Sequence, residues 1–367
     1  MTDRFERSLA GIAPSVAGAL RHFAVVQAVA LVNASPFRFV VSRSGEPTTP
    51  QGVVCNEGED VPQGAVRSLA WQLCIAVTTH CIIVCYRPGV AQLMTLCERV
   101  RADRAKVILV DNTETPYLDR DNLPEGCTLV TLGYNSGIAH AQNVGVAEAI
   151  SAGASVLVFF DQDSKIDPGF VPRLVEAIEA GVPDIVSPLC VDDDTGTQLP
   201  SARVNRYGLS TPVHLTGSPA RYPADIVISS GTAATREAFD LAGTFDEDFF
   251  IDFVDTEWCL RCRGNRIPIH IVPGAVMRHS IGTRAHRLGP LTILVHSPTR
   301  CYYQIRNSFL LLRKRHVPII FSLKQIASVI LSRMALLIWV KDRPVYLKAY
   351  LSGLRDGLNG VTGAKPL

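Results

Sequence analysis

A regular alternation of short apolar runs with helix-like segments, beginning near residue 69, most constrains how this chain folds. The runs CIIVC, KVILVD, CTLVT and VLVFF predict β-strands, and the longer segments between them have the spacing of helices. Strands that are apolar throughout are typical of parallel sheets, which helices cover on both faces. The sequence therefore predicts an α/β fold built on a mostly parallel sheet.

Polar side chains follow several of these predicted strands. Arg87, Asp111, Asn135 and Asp161 each come at or just after the end of an apolar run. In open α/β sheets, ligands bind beyond the carboxyl ends of the strands. This edge of the sheet is therefore the predicted functional site.

The fourth strand ends on two carboxylates, in Asp161-Gln162-Asp163. Residues i and i+2 of an extended segment point the same way, so Asp161 and Asp163 present oxygens to the same side. A hard cation such as Mg²⁺ or Mn²⁺ takes these ligands and would offset their repulsion. The alternative is an aspartate turn that caps the helix starting near Pro168.

The composition excludes some classes of protein. Hydrophobic residues are 47% and charged residues 19% of the 367-residue chain, so we expect a sizeable core and not disorder. The net charge is only +2 and no basic stripe is interleaved with aromatics, so we expect no nucleic-acid partner. The lone CxxC, Cys259 to Cys262, has no second pair at zinc spacing and is interpreted as buried thiols.

Two families place an Asp-x-Asp motif after an apolar strand. In the haloacid-dehalogenase-like phosphatases a Thr or Val follows two residues after the motif, where this chain has Lys165. Those phosphatases also carry the motif near the start of their domain, whereas several predicted strand and helix units precede Asp161 here. The placement favours the second family, the sugar-nucleotide glycosyltransferases.

The remaining motifs agree with that placement. The chain resembles glycosyltransferase family 2, and within it the rhamnosyltransferase branch, over about residues 74 to 315. The segments that carry the resemblance are VILVDNTE, GYNSGIAHAQNVGVAEA, VLVFFDQDS, ISSGTAAT, FDEDFFIDFVDTEWCLRCRGN, VMRHSIG and SPTRCYYQIRN. The resemblance implies a glycosyltransferase-A type nucleotide-binding domain over residues 67–298. Residues 1–66 are then an extension of unknown role, and 299–367 a C-terminal helical, membrane-associating segment.

The resemblance also implies roles for individual residues. Asp255 is the general base, Asp163 with Asp161 binds the metal, and His279 reaches the metal or the diphosphate. The donor contacts implied are Asp111, Asn112, Asn135, Asp161 and Arg87. The acceptor or diphosphate side is implied to hold Glu257, Trp258, Ser230, Gly231 and Arg306.

Each main assignment has a structural alternative. Asp111 would otherwise organise a strand-end turn, His279 would be a surface histidine, and Asp255 would cap a helix. Against the last, six acidic residues crowd into positions 246 to 257, and such self-repulsion is hard to explain by structure alone. The chain departs from the family at YRPG, where relatives have a TYNP-like ending, and at Val254, where many have Glu.

These observations predict an inverting, metal-dependent enzyme of cell-surface polysaccharide biosynthesis. It would move L-rhamnose from dTDP-rhamnose to a saccharide acceptor that is lipid-linked. One alternative is the transfer of another sugar from a UDP or dTDP donor. Two alternatives from other classes are a phosphatase with an Asp-x-Asp motif and a non-catalytic subunit that binds a nucleotide sugar.

The segment 313–343 predicts contact with a membrane. It is long enough to span a bilayer, but Lys324 and Arg333 interrupt it. Basic residues flank it on both sides and favour anionic headgroups. We therefore expect a cytoplasmic protein bound peripherally to the inner face of the plasma membrane, with an anionic membrane surface as partner. The alternatives are a helical hairpin packed on the catalytic domain and a true membrane span.

Overall fold

A nine-stranded mixed sheet forms the centre of the part of the chain that the structure describes. The structure, a computed structural model, describes residues 77–193, 196–199, 201–215, 220–279, 285–288 and 291–365. The predicted extension 1–66 lies outside these residues.

The strands and helices alternate along the chain as the apolar pattern predicts. The strands are β1 Thr79–Cys85, β2 Lys106–Asp111, β3 Cys127–Thr131, β4 Val156–Asp161, β5 Lys165–Ile166, β6 Ile185–Asp192, β7 Ala202–Val204, β8 Ser210–Pro212, β9 Tyr222–Ala224, β10 Ala233–Thr235, β11 Ile269–His279, β12 Ala285–Leu288 and β13 Leu291–Leu294. The helices are α1 Val90–Ala102, α2 Ile138–Ser151, α3 Phe170–Ala177, α4 Arg236–Ala242, α5 Val254–Gly264, α6 Pro298–Arg313, α7 Ile319–Leu336 and α8 Arg343–Asn359. Two single-turn 3-10 helices cover Arg120–Asn122 and Glu247–Phe249.

The large sheet has the order β3-β2-β1-β4-β10-β6-β11-β5, and β9 pairs with β11. The four strands from β3 to β4 are mutually parallel, as are β6 and β11. The three-residue strand β10 lies antiparallel between β4 and β6 and joins the two parallel halves. The predicted α/β fold with a mostly parallel sheet is confirmed.

Both faces of the sheet are covered, which explains why its strands are apolar throughout. Ile82 and Leu157 pack on one face, towards α2 and α5, and Ile83 and Val158 pack on the other, towards α1 and α3. Helix α2 approaches β1 very closely at Gly145, where an added Cβ would lie 2.4 Å from Ile82 Cγ2. The polar residues at the strand ends are thus carried by a rigid, fully packed core.

The predicted C-terminal helical segment is confirmed as α6, α7 and α8. Helix α8 packs closely on α6 through Gly353, where an added Cβ would lie 2.7 Å from the Tyr302 carbonyl oxygen. Helix α7 is different, because only 22% of its apolar window is buried. Among the described residues it is the one helix long and apolar enough to cross a membrane, by length and composition alone.

Candidate active site

The Asp-x-Asp segment leaves the sheet at the end of β4, where Asp161 is half-buried and Asp163 is exposed. The Gln162 side chain between them binds the loop after β1: it accepts from the Tyr86 amide (2.7 Å) and donates to the Tyr86 carbonyl (3.2 Å). Gln92 of α1 donates to the Asp163 carbonyl at 2.9 Å. The backbone beneath the two carboxylates is therefore fixed from two neighbouring elements.

Ser230 and Gly231, predicted on the acceptor or diphosphate side, lie beneath the Asp-x-Asp segment. The buried Ser230 Oγ accepts from the Asp161 amide at 3.1 Å and lies 3.0 Å from Ser164 Oγ. Gly231 has a φ of +77°, and a Cβ there would lie 2.6 Å from Pro188 Cγ. In this arrangement both residues position Asp161 from behind.

Asp255 lies in the first turn of α5, and the N-cap of that helix is Phe253. The cap interpretation of Asp255 therefore does not hold. Burial raises the pKa of Asp255 to about 6, and the negative charges of Asp161 and Asp252 act in the same direction. The backbone amides of Thr256 and Ser229 oppose the shift, with the Thr256 amide 2.8 Å from Asp255 Oδ1.

Most of the acidic residues crowded into positions 246–257 contact a cationic or histidine side chain. Asp246 and Asp248 contact Lys314, Glu247 contacts His140, Asp252 contacts Arg300, and Glu257 contacts Arg261. Among the described residues, Asp255 alone of the six has no cationic partner. A half-buried carboxylate with a raised pKa and no counter-ion is suited to accept a proton.

The segment before Asp255 has an unusual backbone. Phe250, Asp252 and Phe253 have φ values of 56°, 63° and 65°, the left-handed region that bulky residues rarely occupy. Such residues cost on the order of 1–3 kcal/mol each and persist where surrounding contacts enforce them. Asn307 of α6 supplies three such contacts, because its side-chain amide donates to the carbonyls of Phe249, Ile251 and Asp252 at 2.7–3.0 Å.

Arg306 is not brought to the strand-end site. The side chain is fully buried and donates to the carbonyls of Asp248 and Phe249, at 3.1 and 3.3 Å, and to that of Gly363. Its guanidinium also lies over the Tyr303 ring, 4.8 Å from the centroid. The structure thus places Arg306 behind the strained segment, as a support for its backbone.

Glu257 points away from the site, and Trp258 packs in the core beside Asp255. Glu257 is buried and receives two hydrogen bonds from Arg261, at 2.9 and 3.0 Å. Trp258 stacks on Phe239 with centroids 4.9 Å apart, and its indole donates to the Gly243 carbonyl at 2.9 Å. Both residues fix helix α5 to the core, and Asp255 lies about 200° around the helix from Glu257.

Asp111 ends β2 and is fully buried. Its carboxylate accepts from the backbone amides of Thr113, Tyr117 and Leu118 at 2.9–3.2 Å. This is the strand-end turn that the sequence left open as an alternative. The contact with a nucleotide base remains a prediction.

Asn112 and Asn135 lie together beside this turn. Asn112 Oδ1 accepts from the amide and the hydroxyl of Ser136 at 2.7 and 2.8 Å, and Asn135 Oδ1 accepts from the Gly137 amide at 3.1 Å. Arg87, with a φ of 47°, is exposed and forms an ion pair with Glu114 at 3.2 Å. These residues lie at or just after the ends of β1, β2 and β3.

The metal prediction rests on Asp161 and Asp163. Among the described residues there is no cluster of three or more His, Cys, Asp and Glu that could hold an ion. His279 is the last residue of β11, and its side chain lies outside what the structure describes. The carboxylate of Asp163 has no cationic partner in the described part of the chain. Strand β4 ends at Asp161, and Asp163 lies in the turn that follows, and their carboxylates are the hard oxygen donors that Mg²⁺ or Mn²⁺ takes.

The sequence analysis missed two contributors to this site, Arg300 and Asn307. Both lie in SPTRCYYQIRN, from which only Arg306 was selected. Arg300 forms an ion pair with Asp252 at 3.0 Å, and the charge of Asp161 also acts on it. The number of hydrogen-bond donors in this motif was the signal in the sequence that could have identified them.

Comparison with known proteins finds relatives for most of the chain. The model of the family described as "Glycosyl transferase family 2" matches residues 81–240. The dTDP-rhamnosyl transferase RfbF of Shigella flexneri is 36% identical over 286 residues, which are 77% of this chain and 96% of that protein.

Two solved structures show weaker likeness. The crystal structure of GalNAc-T7 with UDP, GalNAc and Mn²⁺ has a TM-score of 0.46 at 17% identity, over 70% of this chain and 57% of that one. The structure of S. aureus TarS 1–349 with UDP-GlcNAc has a TM-score of 0.45 at 14% identity, over 77% and 81% of the two chains. Likenesses this distant carry no argument about activity.

Proposed function

Since the chain belongs to glycosyl transferase family 2, we propose that it transfers L-rhamnose from dTDP-rhamnose to a hydroxyl of a saccharide acceptor. The observation that carries the proposal is Asp255, the unpaired carboxylate with a pKa near 6 beside the Asp161 charge. The chain is a glycosyltransferase enzyme of the glycosyltransferase-A fold class. The choice of rhamnose rests on the similarity to the Shigella flexneri enzyme.

The donor and the acceptor would bind on different sides of the site. The donor nucleotide would lie over the ends of β1, β2 and β4, near Arg87, Asn112 and Asn135. The acceptor hydroxyl would approach Asp255 from the side of α5. Asp255 takes the hydroxyl proton, the acceptor oxygen bonds to the sugar C1, and the C1–O bond to the diphosphate breaks. This direct displacement inverts C1, so a β-L-rhamnosyl donor gives an α-L-rhamnoside.

Asp161 and Asp163 would hold a divalent cation, Mg²⁺ or Mn²⁺. When bound, the cation supplies positive charge against the departing diphosphate. The protein positions those carboxylates through Gln162 and Ser230, which fix the backbone on both sides of Asp161. His279, in line with the resemblance, would contact the cation or the diphosphate.

The proposal is tested by incubating the protein with Mg²⁺ or Mn²⁺ and a panel of sugar nucleotides, then measuring released nucleoside diphosphate. We expect release from dTDP-rhamnose above all, and loss of release in Asp255→Asn. If a UDP-sugar released its nucleoside diphosphate instead, the proposed donor would be wrong. Inorganic phosphate from simple esters would indicate a phosphatase, and nucleotide binding without turnover a silent subunit.

We further propose that the acceptor is lipid-linked and that the protein binds peripherally to the cytoplasmic face of the plasma membrane. What supports this is the outer face of α7, where Ile319, Ile320 and Leu323 are 48–66% exposed. Basic residues adjoin both ends of the helix, at 313 and 315 and at 341 and 343, while Lys314 is engaged by Asp246 and Asp248. An exposed apolar face with flanking cations suits an anionic membrane surface.

A further inference from the structure

A cavity of about 710 Å³ opens between helix α7 and the start of α5. At one end it is lined by Asp252, Phe253 and Thr256, the last adjoining Asp255. At the other end it runs along α7 past Ala327 and Ser328. The cavity is therefore lined both by Thr256, the sequence neighbour of the proposed base, and by residues of the exposed apolar helix α7.

Arg333 of α7 lines this cavity and is only 6% exposed. Its contacts are weak for a buried cation: Nη1 lies 3.4 Å from the Leu294 carbonyl and 3.6 Å from Cys301 Sγ, and Nε lies 3.5 Å from Ser332 Oγ. In the described part of the chain no carboxylate pairs with it. Buried charges are ordinarily paired. An unpaired guanidinium that lines a cavity points to an anionic ligand, which it would bind with two parallel hydrogen bonds.

A second cation lines the cavity nine residues earlier on α7. Lys324, also in the lining, has no carboxylate partner among the described residues and donates to Ser210 at 3.0 and 3.2 Å. Burial lowers the pKa of His296 to about 4, and Arg300 and Arg333 lower it further against the opposing charge of Asp252. His296 is therefore neutral at physiological pH and leaves the excess charge to the two cations.

The mouth of the cavity is apolar. Leu331 belongs to the lining and is 68% exposed, and Val329 and Leu294 line the interior with it. Leu331 continues the exposed apolar face that includes Leu323 of the same helix. A hydrocarbon chain that left the cavity here would cover apolar side chains that are now in water.

From these contacts we infer that the cavity binds the acceptor, an amphiphile with a phosphate or diphosphate group held by Arg333. Its saccharide would extend towards Asp255 and its hydrocarbon chain over Leu331 and the α7 face. The assignment of this ligand as the acceptor rests on the proposed function. The binding of a phosphate-bearing amphiphile rests on the cavity alone.

The test uses farnesyl diphosphate as a probe, titrated calorimetrically into the full chain. Saturating dTDP and Mg²⁺ are present, so that the donor site is occupied. We expect binding at least tenfold tighter than that of farnesol, which lacks the diphosphate, or of inorganic diphosphate, which lacks the chain. If inorganic diphosphate bound as tightly as farnesyl diphosphate, the hydrocarbon chain would have no role in binding. If farnesol bound as tightly, the Arg333 cation would have no role. Either result would overturn the inference.

Two variants locate the probe. Ala327→Trp fills the cavity without removing a buried charge, and Arg333→Gln removes the cation. Each should weaken farnesyl diphosphate binding at least tenfold while dTDP binding and the circular dichroism spectrum are unchanged. Leu351→Trp, a matched change on the exposed face of α8, should have no effect. Unchanged binding in Ala327→Trp would place the probe elsewhere and overturn the inference.

The same preparations separate this inference from the proposed function. Release of dTDP from dTDP-rhamnose is measured for each variant with water in place of a saccharide acceptor as the nucleophile at C1, and we expect it at the wild-type rate in Leu351→Trp. If dTDP-rhamnose neither binds to the wild type nor releases dTDP while the probe binds as expected, the proposed donor is wrong and the cavity assignment stands. If dTDP is released but the probe does not bind, the cavity assignment is wrong.

Discussion

Arg300 donates to both carboxylate oxygens of Asp252, through Nε at 3.2 Å to each oxygen and through Nη2 at 3.0 Å. Asp252 has a left-handed backbone and lies three residues before Asp255. The pair therefore anchors the strained segment from the side that faces the cavity, while Asn307 anchors it from the core.

Arg300→Gln should lower turnover more than it lowers stability. Without the cation, the Asp252 charge is unopposed and raises the pKa of Asp255 further, so the base is less ionised at neutral pH. A rise of one unit in that pKa would leave about half of the base ionised at pH 7, so we expect kcat there to fall about twofold and to recover at higher pH. Arg300→Lys, which keeps the charge, should retain most of the activity. A loss that did not change with pH would contradict the electrostatic role.

Asp163→Ala should abolish metal-dependent turnover and leave the fold intact. The side chain is exposed at a strand end, so its removal creates no cavity in the core. Mn²⁺ binding, followed by electron paramagnetic resonance, should weaken together with the activity. Normal activity and metal dependence in this variant would remove Asp163 from the metal site.

Asp255→Asn should preserve donor binding and reduce turnover about 10²-fold or more, because the amide cannot accept the proton. The same change should raise the melting temperature at pH 8, where the wild-type carboxylate is charged, partly buried and repelled by Asp161 and Asp252. The gain should shrink below pH 6, where the wild-type group is protonated. Lost donor binding with normal turnover would move Asp255 to the nucleotide side.

The pH dependence of the wild-type enzyme should follow the ionisation of Asp255. The base is active as the carboxylate, so kcat should rise as the pH increases through about 6 and then level off. The burial that raises this pKa is the largest contribution, so the midpoint should vary little with ionic strength. A profile that was flat between pH 5 and 8 would mean that another group limits the reaction.

Membrane fractions should contain the protein and release it on washing with high salt or carbonate. The double variant Ile320→Glu with Leu323→Glu should sediment less, since it places charges on the exposed α7 face. Leu351→Glu on α8 is the matched control and should sediment like the wild type. Retention after carbonate would indicate a true span, and a protein that never sedimented would contradict membrane binding.

The alternating apolar runs sufficed to predict the sheet and the strand ends, because a strand covered on both faces leaves few other patterns. The sequence could not show which face of each helix points towards the core. Asp255 and Glu257 are two residues apart, about 200° around α5. One faces the site and the other the core. The residue types alone do not show which of the two carboxylates faces the site.

The same limit explains why Arg306 was selected and Arg300 was not. The two are six residues apart on α6, about 240° around the helix axis. The choice depends on which face of α6 packs on the strained segment, and that is decided by tertiary contacts such as those of Tyr303 with Phe250, whose rings stack at 4.8 Å. Neither the cavity beside α7 nor the unpaired Arg333 has a local pattern that would reveal it.

The three-residue strand β10 has a consequence for the order in which the enzyme is assembled. Its partners lie far back in the chain, because residues 233–235 pair with 156–158 and 185–186. Until β10 is synthesised and docks, β4 has an unpaired edge in the middle of the future sheet, next to the segment that carries Asp161. Such long-range pairing slows folding and leaves an open edge to pair with other chains. Overproduction should therefore give aggregates of incomplete chains that end before residue 233, and slower translation, which keeps the β4 edge open for longer, should increase them.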